Sequence, residues 1–380
     1  MAEQTYSKGL EGVVAAESGI CQIDGQGGRL YYRGYSVEDL AAHSDFEEVT
    51  YLLLYENLPT KDELAGFRKR MRAGRALPVP VQEMVRSFPV KGDIMELLQS
   101  SVSYLSGYVE HRIHHSDICN CRDTLHQIAQ LASVTATAYR FRNGEDYVPP
   151  RDDLSHGANF LYMLKGREPS EEEGRMMDVL LLIQAEHGFN ASTFTARVVA
   201  STKSTCYCSV SAAIGALYGA LHGGANWRAM NMFDEIGSPG NAAQWLDKAL
   251  AAKRKIMGMG HRVYKVQDPR SNIVEQFIRQ ILEKGGDDHY YRILKAVEEE
   301  FHTRIEEKGK PIYPNIDFFS GTLYTLLGVP RELYTPLFAV ARAPGWLAHI
   351  LEQRMDNRLY RPKSLYIGPQ PREYVTVDKR

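Results

Sequence analysis

The sequence predicts an all-α protein, a large helical domain interrupted by a small helical one, with a short β-hairpin near the N-terminus. Three observations carry this. Ser or Thr followed three residues later by an acid recurs at Ser36/Asp39, Ser44/Glu47, Thr60/Glu63 and Ser170/Glu173, each ahead of an apolar-periodic stretch. Glycine and proline cluster at Gly237-Ser-Pro-Gly240, Gly258-Met-Gly260, Gly285-Gly286 and Lys308-Gly-Lys-Pro311, whereas longer helical patterns flank this middle stretch. The 380 residues also exceed the roughly 250–300 at which a single core splits into domains. The expected division is 1–222 with 322–380 as the large domain and 223–321 as the small one.

Taken in order, Ile20-Cys-Gln-Ile-Asp-Gly25 and Gly28-Arg-Leu-Tyr-Tyr-Arg33 are β-prone runs separated by glycines, the hairpin of the prediction. Helices follow from Ser36. Between Met176 and His187, the positions Met176, Val179, Leu180, Ile183 and His187 recur at helical spacing and predict one buried stripe. Asn241 is the expected cap of a helix whose buried face is Trp245, Leu246, Ala249 and Leu250. No internal repeat is present, and only the tail after Gly368 is of low complexity.

Composition narrows the function class. Apolar residues make up 44% and charged residues 24%, ordinary for a soluble globular chain. With 45 basic and 47 acidic residues the net charge is -2, so the basic footprint of a nucleic-acid binder is missing and an anionic ligand must be held locally. Five cysteines are too few for a disulfide framework in a chain this long, which predicts reduced thiols and a cytoplasmic location. The first residues lack the apolar core of a signal peptide, and no run approaches the roughly 20 apolar residues that span a bilayer.

Several residue types suited to chemistry stand beside flexible backbone. His222-Gly223-Gly224 puts a titratable ring where a ligand can approach the main chain, and a histidine at a helix start is pushed toward its neutral form. Gly258-Met-Gly-His-Arg-Val-Tyr-Lys265 offers free backbone, a histidine and two cations for a phosphate or carboxylate, without the Gly-Lys-Ser/Thr of a nucleotide loop. Arg270, after Asp268-Pro269, presents a planar guanidinium that can grip a carboxylate through two bonds. Asp317, between Ile316 and Phe318-Phe319, is a carboxylate in apolar company, where desolvation raises the pKa. Taken singly, each has an ordinary structural reading: a hinge histidine, a surface arginine, a turn aspartate, and for His187 a core histidine.

Their joint order is what adds specificity. The chain resembles the citrate synthase family from about Gly9 to Gly368, through Gly-Leu-Glu-Gly-Val-Val-Ala-Ala-Glu-Ser at 9–18, Tyr-Arg-Gly-Tyr-Ser at 32–36, Asn-Ala-Ser-Thr-Phe-Thr-Ala-Arg at 190–197, His222-Gly-Gly-Ala-Asn226, Gly260-His261-Arg262, Asp268-Pro-Arg270 and Pro314-Asn-Ile-Asp317. The resemblance implies condensation of acetyl-coenzyme A with oxaloacetate, then hydrolysis of the citryl thioester, in a cleft between two helical domains of a homodimer. Asp317 would be the base, His222 the hydrogen-bond donor to the thioester oxygen, and His261 the acid at the oxaloacetate carbonyl. His187, Arg270, Arg342 and, across the dimer, Arg361 would hold the two carboxylates. Met257, Gly258, Met259 and Gly260 would meet the adenine part of coenzyme A, with Lys265 and the weaker candidates Lys255 and Lys310 for phosphate. No tightly bound cofactor or metal is implied.

The chain departs from the family at Trp227 and Gly188, where Glu is usual, and at Tyr218-Gly-Ala220, where Lys-Gly-Pro is usual. These neighbours of the chemistry open two alternatives: propionyl-coenzyme A as donor, giving 2-methylcitrate, and a ligand-binding paralogue that no longer turns over. His111, His114, His115, Cys119 and Cys121 have the residue types of a zinc site in a spacing that matches no standard pattern, and read as a surface turn between helices.

Overall fold

The computed structural model describes residues 6–108, 121–306 and 312–380. A three-stranded antiparallel sheet comes first, with β1 (Cys21–Asp24), β2 (Arg29–Tyr32) and β3 (Tyr35–Ser36) in that order and Cys21 opposite Tyr32. The predicted hairpin is present, with one short strand added. Helices then follow as α1 (Val37–His43), α2 (Phe46–Tyr55), α3 (Lys61–Ala73), α4 (Val79–Ser87), α5 (Ile94–Leu105), α6 (Cys121–Arg142), α7 (His156–Lys165) and α8 (Glu171–Leu182). The second half holds α9 (Ala191–Ser201), α10 (Cys206–Tyr218), α11 (Ala225–Ile236), α12 (Ala242–Ala251), α13 (Pro269–Glu283), α14 (His289–Glu306), α15 (Ile316–Leu326) and α16 (Tyr334–Met355). No helix among the described residues is long and apolar enough to cross a membrane.

Local start signals explain most helix boundaries. Thr60 with Glu63 and Ser170 with Glu173 form reciprocal capping boxes at α3 and α8, and Ser36 accepts from the Asp39 N–H at α1. Two expectations shift. The cap of α2 is Asp45, which accepts from the Glu48 N–H, not Ser44, whose hydroxyl bonds the Glu48 carboxylate. Asn241 makes no side-chain cap at α12, because its amide donates to the Ile236 carbonyl of the preceding turn. Of the face predicted for α12, Leu246 and Ala249 are buried while Trp245 and Leu250 are only partly so.

The 22-residue α16 is the spine of the core, packing against α2, α6, α8, α9 and α10. Trp346, Leu337 and Ile350 are fully buried on it, each stabilising by about 1.5–3 kcal/mol. Its polar side chains reach the segment after α8: Arg342 Nε donates to the Gln184 carbonyl at 2.7 Å, and His349 Nε2 lies 3.0 Å from Glu186 Oε1. From the sheet, the buried Tyr32 hydroxyl lies 3.1 Å and 2.9 Å from the Ile183 and Glu186 carbonyls. These long-range bonds end α8 at Leu182, so the predicted stripe does not run on through His187, which sits in the following loop. Two further findings concern the sequence expectations. Cys206 is disulfide-bonded while Cys21 and Cys208 are free, so the thiols are not all reduced. The expected domain boundary after Gly321 falls inside α15.

Candidate active site

Loops at helix ends supply the predicted residues. His187 follows the turn held by Tyr32 and α16; its Nε2 lies 3.2 Å from the Tyr264 hydroxyl, and its ring is 5.2 Å from that of His261 in an edge-to-face arrangement. Burial and the nearby charges of Arg270 and Arg342 hold it well below the usual histidine range. Gly188, one residue on, has φ +61° and gives its N–H to Glu186 Oε1 at 2.5 Å. A glutamate there would be forced into left-handed backbone, which is the local reason for glycine at this departure.

His222 lies between α10 and α11, its N–H bonded to the Gly219 carbonyl at 2.9 Å. Its Nε2 accepts from the Ser192 backbone N–H at 3.2 Å and lies 2.9 Å from Ser192 Oγ, which also receives the Trp346 indole N–H at 3.1 Å. A backbone N–H can only donate, so the lone pair is on Nε2 and the network assigns the proton to Nδ1. Among the described residues that Nδ1–H has no partner. Burial, reinforced by the Arg342 charge, pushes the ring down to about 4, so it is neutral at pH 7.

His261 has the opposite tautomer. Its Nδ1 accepts from the Val263 and Tyr264 backbone N–H groups at 3.0 and 3.1 Å, leaving Nε2–H as the donor. Burial, with Arg270 and Lys265 adding to it against Asp268, pushes this ring down to about 4 as well.

Arg270 is the second residue of α13, whose cap is Asp268. The buried Asp268 carboxylate takes Nε at 2.9 Å and Nη2 at 2.7 Å, so only the Nη1 edge of Arg270 is left to bind a ligand. Despite burial, Arg270 holds Asp268 below the usual carboxylate range, so the pair is ionised. Arg342 uses only Nε and has both terminal nitrogens free among the described residues. Two guanidinium groups in a buried setting, each with unused N–H donors, are a ready receptor for a small dianion.

Asp317 enters on α15, where Asn315 is the cap and accepts from the Asp317 N–H. Asn315 also ties this helix start to the loop carrying His261: its amide donates to the Gly260 carbonyl at 2.7 Å and its N–H to the Gly258 carbonyl at 2.9 Å. The Asp317 carboxylate has no hydrogen-bond partner among the described residues. Burial pushes its pKa up to about 6, Asp268 adding to the rise while Arg270, Arg342 and Arg228 oppose it. Gly258, at φ +79°, lies so close that a Cβ there would be 2.7 Å from the Phe318 Cβ and 2.8 Å from its Cα. That contact is open only to glycine.

His187, His222, His261, Arg270, Arg342 and Asp317 are therefore linked by contact or by field. Other predicted residues stand apart. Lys255 and Lys265 are exposed with free side chains, although the Lys265 N–H bonds the Gly25 carbonyl of the hairpin turn at 2.8 Å. Arg361 lies in the exposed tail and makes no ion pair among the described residues. Lys310 lies outside the described residues, as do His111, His114, His115, Cys119 and the Cys121 side chain. Sequence reasoning missed Ser192, which fixes the His222 tautomer from within the quoted 190–197 motif, and Asp268, whose place before Pro269 signals a helix cap.

Comparison with known proteins shows the family. A family profile described as "Citrate synthase, C-terminal domain" matches residues 9–363. Citrate synthase of Synechocystis sp. is 42% identical over 377 residues, covering 99% of this chain and 94% of that protein. The crystal structure of citrate synthase from Pyrobaculum aerophilum superposes with a TM-score of 0.91 at 40% identity, covering 98% of this chain and 95% of that one. The Thermoplasma acidophilum enzyme, solved as a ternary complex with carboxymethyl coenzyme A and oxaloacetate, gives a TM-score of 0.90 at 35% identity over 99% of this chain and 100% of that one. A paired set of neutral histidines, an unpartnered carboxylate and two half-free arginines, on a chain that these proteins match from end to end, identifies it as a member of the citrate synthase family, the condensing acyltransferases.

Proposed function

We propose that this chain condenses acetyl-coenzyme A with oxaloacetate at this cluster, and that Asp317, His222 and His261 carry the chemistry. Asp317 takes a proton from the acetyl methyl group, and the C–H electron pair moves into the enol as negative charge builds on the thioester oxygen. A carboxylate alone is too weak a base for this, so the His222 Nδ1–H must donate to that oxygen in the same step. The nucleophilic carbon then attacks the oxaloacetate ketone, whose oxygen takes the Nε2 proton of His261. Water next adds to the citryl thioester, the C–S bond breaks, and coenzyme A leaves as the thiol. The single observation supporting this is the opposed tautomers of His222 and His261, each backed by main-chain N–H donation and each leaving one N–H unpartnered among the described residues.

Arg270, Arg342 and His187 hold the oxaloacetate carboxylates, and Arg361 of a partner subunit completes the clamp in a homodimer. The backbone from Met257 to Gly260 meets the adenine part of coenzyme A, with Lys265, Lys255 and Lys310 at the phosphates. No tightly bound cofactor is required. The small domain expected at 223–321, with its second hinge at an end of α15 and not after Gly321, closes on bound oxaloacetate and excludes water from the thioester until condensation is complete.

The test is thiol release on mixing protein with oxaloacetate and either acetyl- or propionyl-coenzyme A. Oxaloacetate-dependent release, with the higher specificity constant for acetyl, is expected. Calorimetric binding without release would instead make the chain a ligand-binding paralogue, and a higher constant for propionyl would make it a 2-methylcitrate synthase.

A further inference from the structure

The segment that carries His222 is poorly suited to hold a side chain still. Between the end of α10 at Tyr218 and the start of α11 at Ala225, three of six residues are glycine, and glycine leaves the backbone many conformations. The Ser192 contacts hold the ring from one side. On the other side of the loop stands Arg228, on the first turn of α11 and folded back across it.

Its three nitrogens each meet a different loop carbonyl: Nη1 donates to Ala220 at 2.8 Å, Nη2 to Gly223 at 2.5 Å, and Nε to Gly224 at 3.2 Å. Two of these carbonyls belong to the residues flanking the pair His222 and Gly223, or to the pair itself. Among the described residues Arg228 has no carboxylate partner, so the interaction is with main chain alone and the positive charge stays unneutralised. Such a three-way contact needs a planar fork of donors, and a lysine ammonium cannot span it.

We propose that Arg228 is a positioning residue for the condensation, clamping the His222 loop so that the imidazole N–H meets the thioester oxygen, and lending its charge to the base on α15. The second role follows from packing: α11 and α15 lie against each other. The charged groups around Asp317 are Asp268 and Arg270 from α13, Arg342 from α16 and Arg228 from α11, the last opposing the rise in its pKa. This inference rests on the condensing role given to His222 and Asp317 above.

The experiment compares wild type, Arg228→Ala and Arg228→Lys by thiol release with acetyl-coenzyme A and oxaloacetate, recording kcat, oxaloacetate KM and the pH profile, with thermal melts as the folding control. Arg228→Ala is expected to keep its oxaloacetate KM and melt above the assay temperature. It should lose about tenfold or more in kcat, since small misplacements of a catalytic group carry large rate costs, and shift the acid limb of the profile to higher pH. Arg228→Lys should return the limb toward its wild-type position without restoring kcat, because it supplies charge but not the fork. Wild-type kcat with an unmoved limb in Arg228→Ala would overturn the proposal, and so would full recovery of kcat by Arg228→Lys. If Arg228→Ala does not fold, Arg228→Lys alone decides by the same kcat criterion. An inactive wild type would sink the functional reading itself, a failure distinct from either of these.

Discussion

The Asp317 carboxyl makes the sharpest quantitative demand. Its pKa is raised from 3.8 to about 6 because burial outweighs three arginines, and it must be ionised to take a proton. Two units correspond to about 3 kcal/mol of disfavoured charge. In kcat/KM, which reports the free enzyme, activity should be half its plateau near pH 6 and about a tenth one unit lower, each unit being tenfold. His222 and His261, both held at about 4, stay neutral across this range, so neither supplies a limb there. Asp317→Asn removes the base while keeping the shape, and should lower kcat by about 10²–10⁴. Oxaloacetate affinity should survive, because Arg270, Arg342 and His187 are separate groups. Thiol release across pH 4.5–8, with calorimetry for oxaloacetate, measures all of this. Absence of a limb near pH 6, a limb near pH 6 that persists in the residual activity of Asp317→Asn, or loss of oxaloacetate binding in that variant would each refute the reasoning.

Other perturbations test the support around this group. Asp268→Ala strips the buried partner from Arg270 and should cost about 3–5 kcal/mol in urea unfolding while raising oxaloacetate KM, because the guanidinium is no longer aimed. Stability and KM both equal to wild type would be inconsistent with a positioning carboxylate. Gly258→Ala combines left-handed strain with a clash on the Phe318 backbone, for about 2–4 kcal/mol, and a urea midpoint equal to wild type would contradict that contact. The buried Asp178, on α8, is raised to about 7 by desolvation, with the charges of Asp45 and Glu47 adding to it against hydrogen bonds from Ser155 and Gly157. Since its folded pKa lies above the unfolded value, the folded state binds the extra proton, and this contribution is lost as pH rises through 7. Asp178→Asn should therefore gain on wild type as pH rises from about 4 to about 7 and keep that gain above it; curves parallel throughout that window would remove Asp178 as the source.

The sequence by itself determined whatever depends on neighbours a few residues apart. The caps at Ser36, Thr60 and Ser170 were legible because an N-cap bonds a backbone N–H three residues on, and the hairpin because glycines separate two adjacent β-prone runs. Even there, Ser44 and Asn241 misled, since a side chain with two nearby partners takes whichever the fold brings closer. The residue types of the site were legible too, through motifs whose order resembles a family. Tertiary structure alone decided that His187 leaves its helix, since that break is made by Tyr32 and Arg342 from the far ends of the chain. It also decided which nitrogen of His222 and of His261 bears the proton, that Asp268 consumes one edge of Arg270, and that Arg228 spans three carbonyls. A charge, a tautomer or a free donor is set by what stands within about 3 Å: for His222 that is Ser192, 30 positions away, whereas for His261, Arg270 and Arg228 it is residues 2 to 8 positions away, whose side-chain and backbone directions the sequence pattern does not specify.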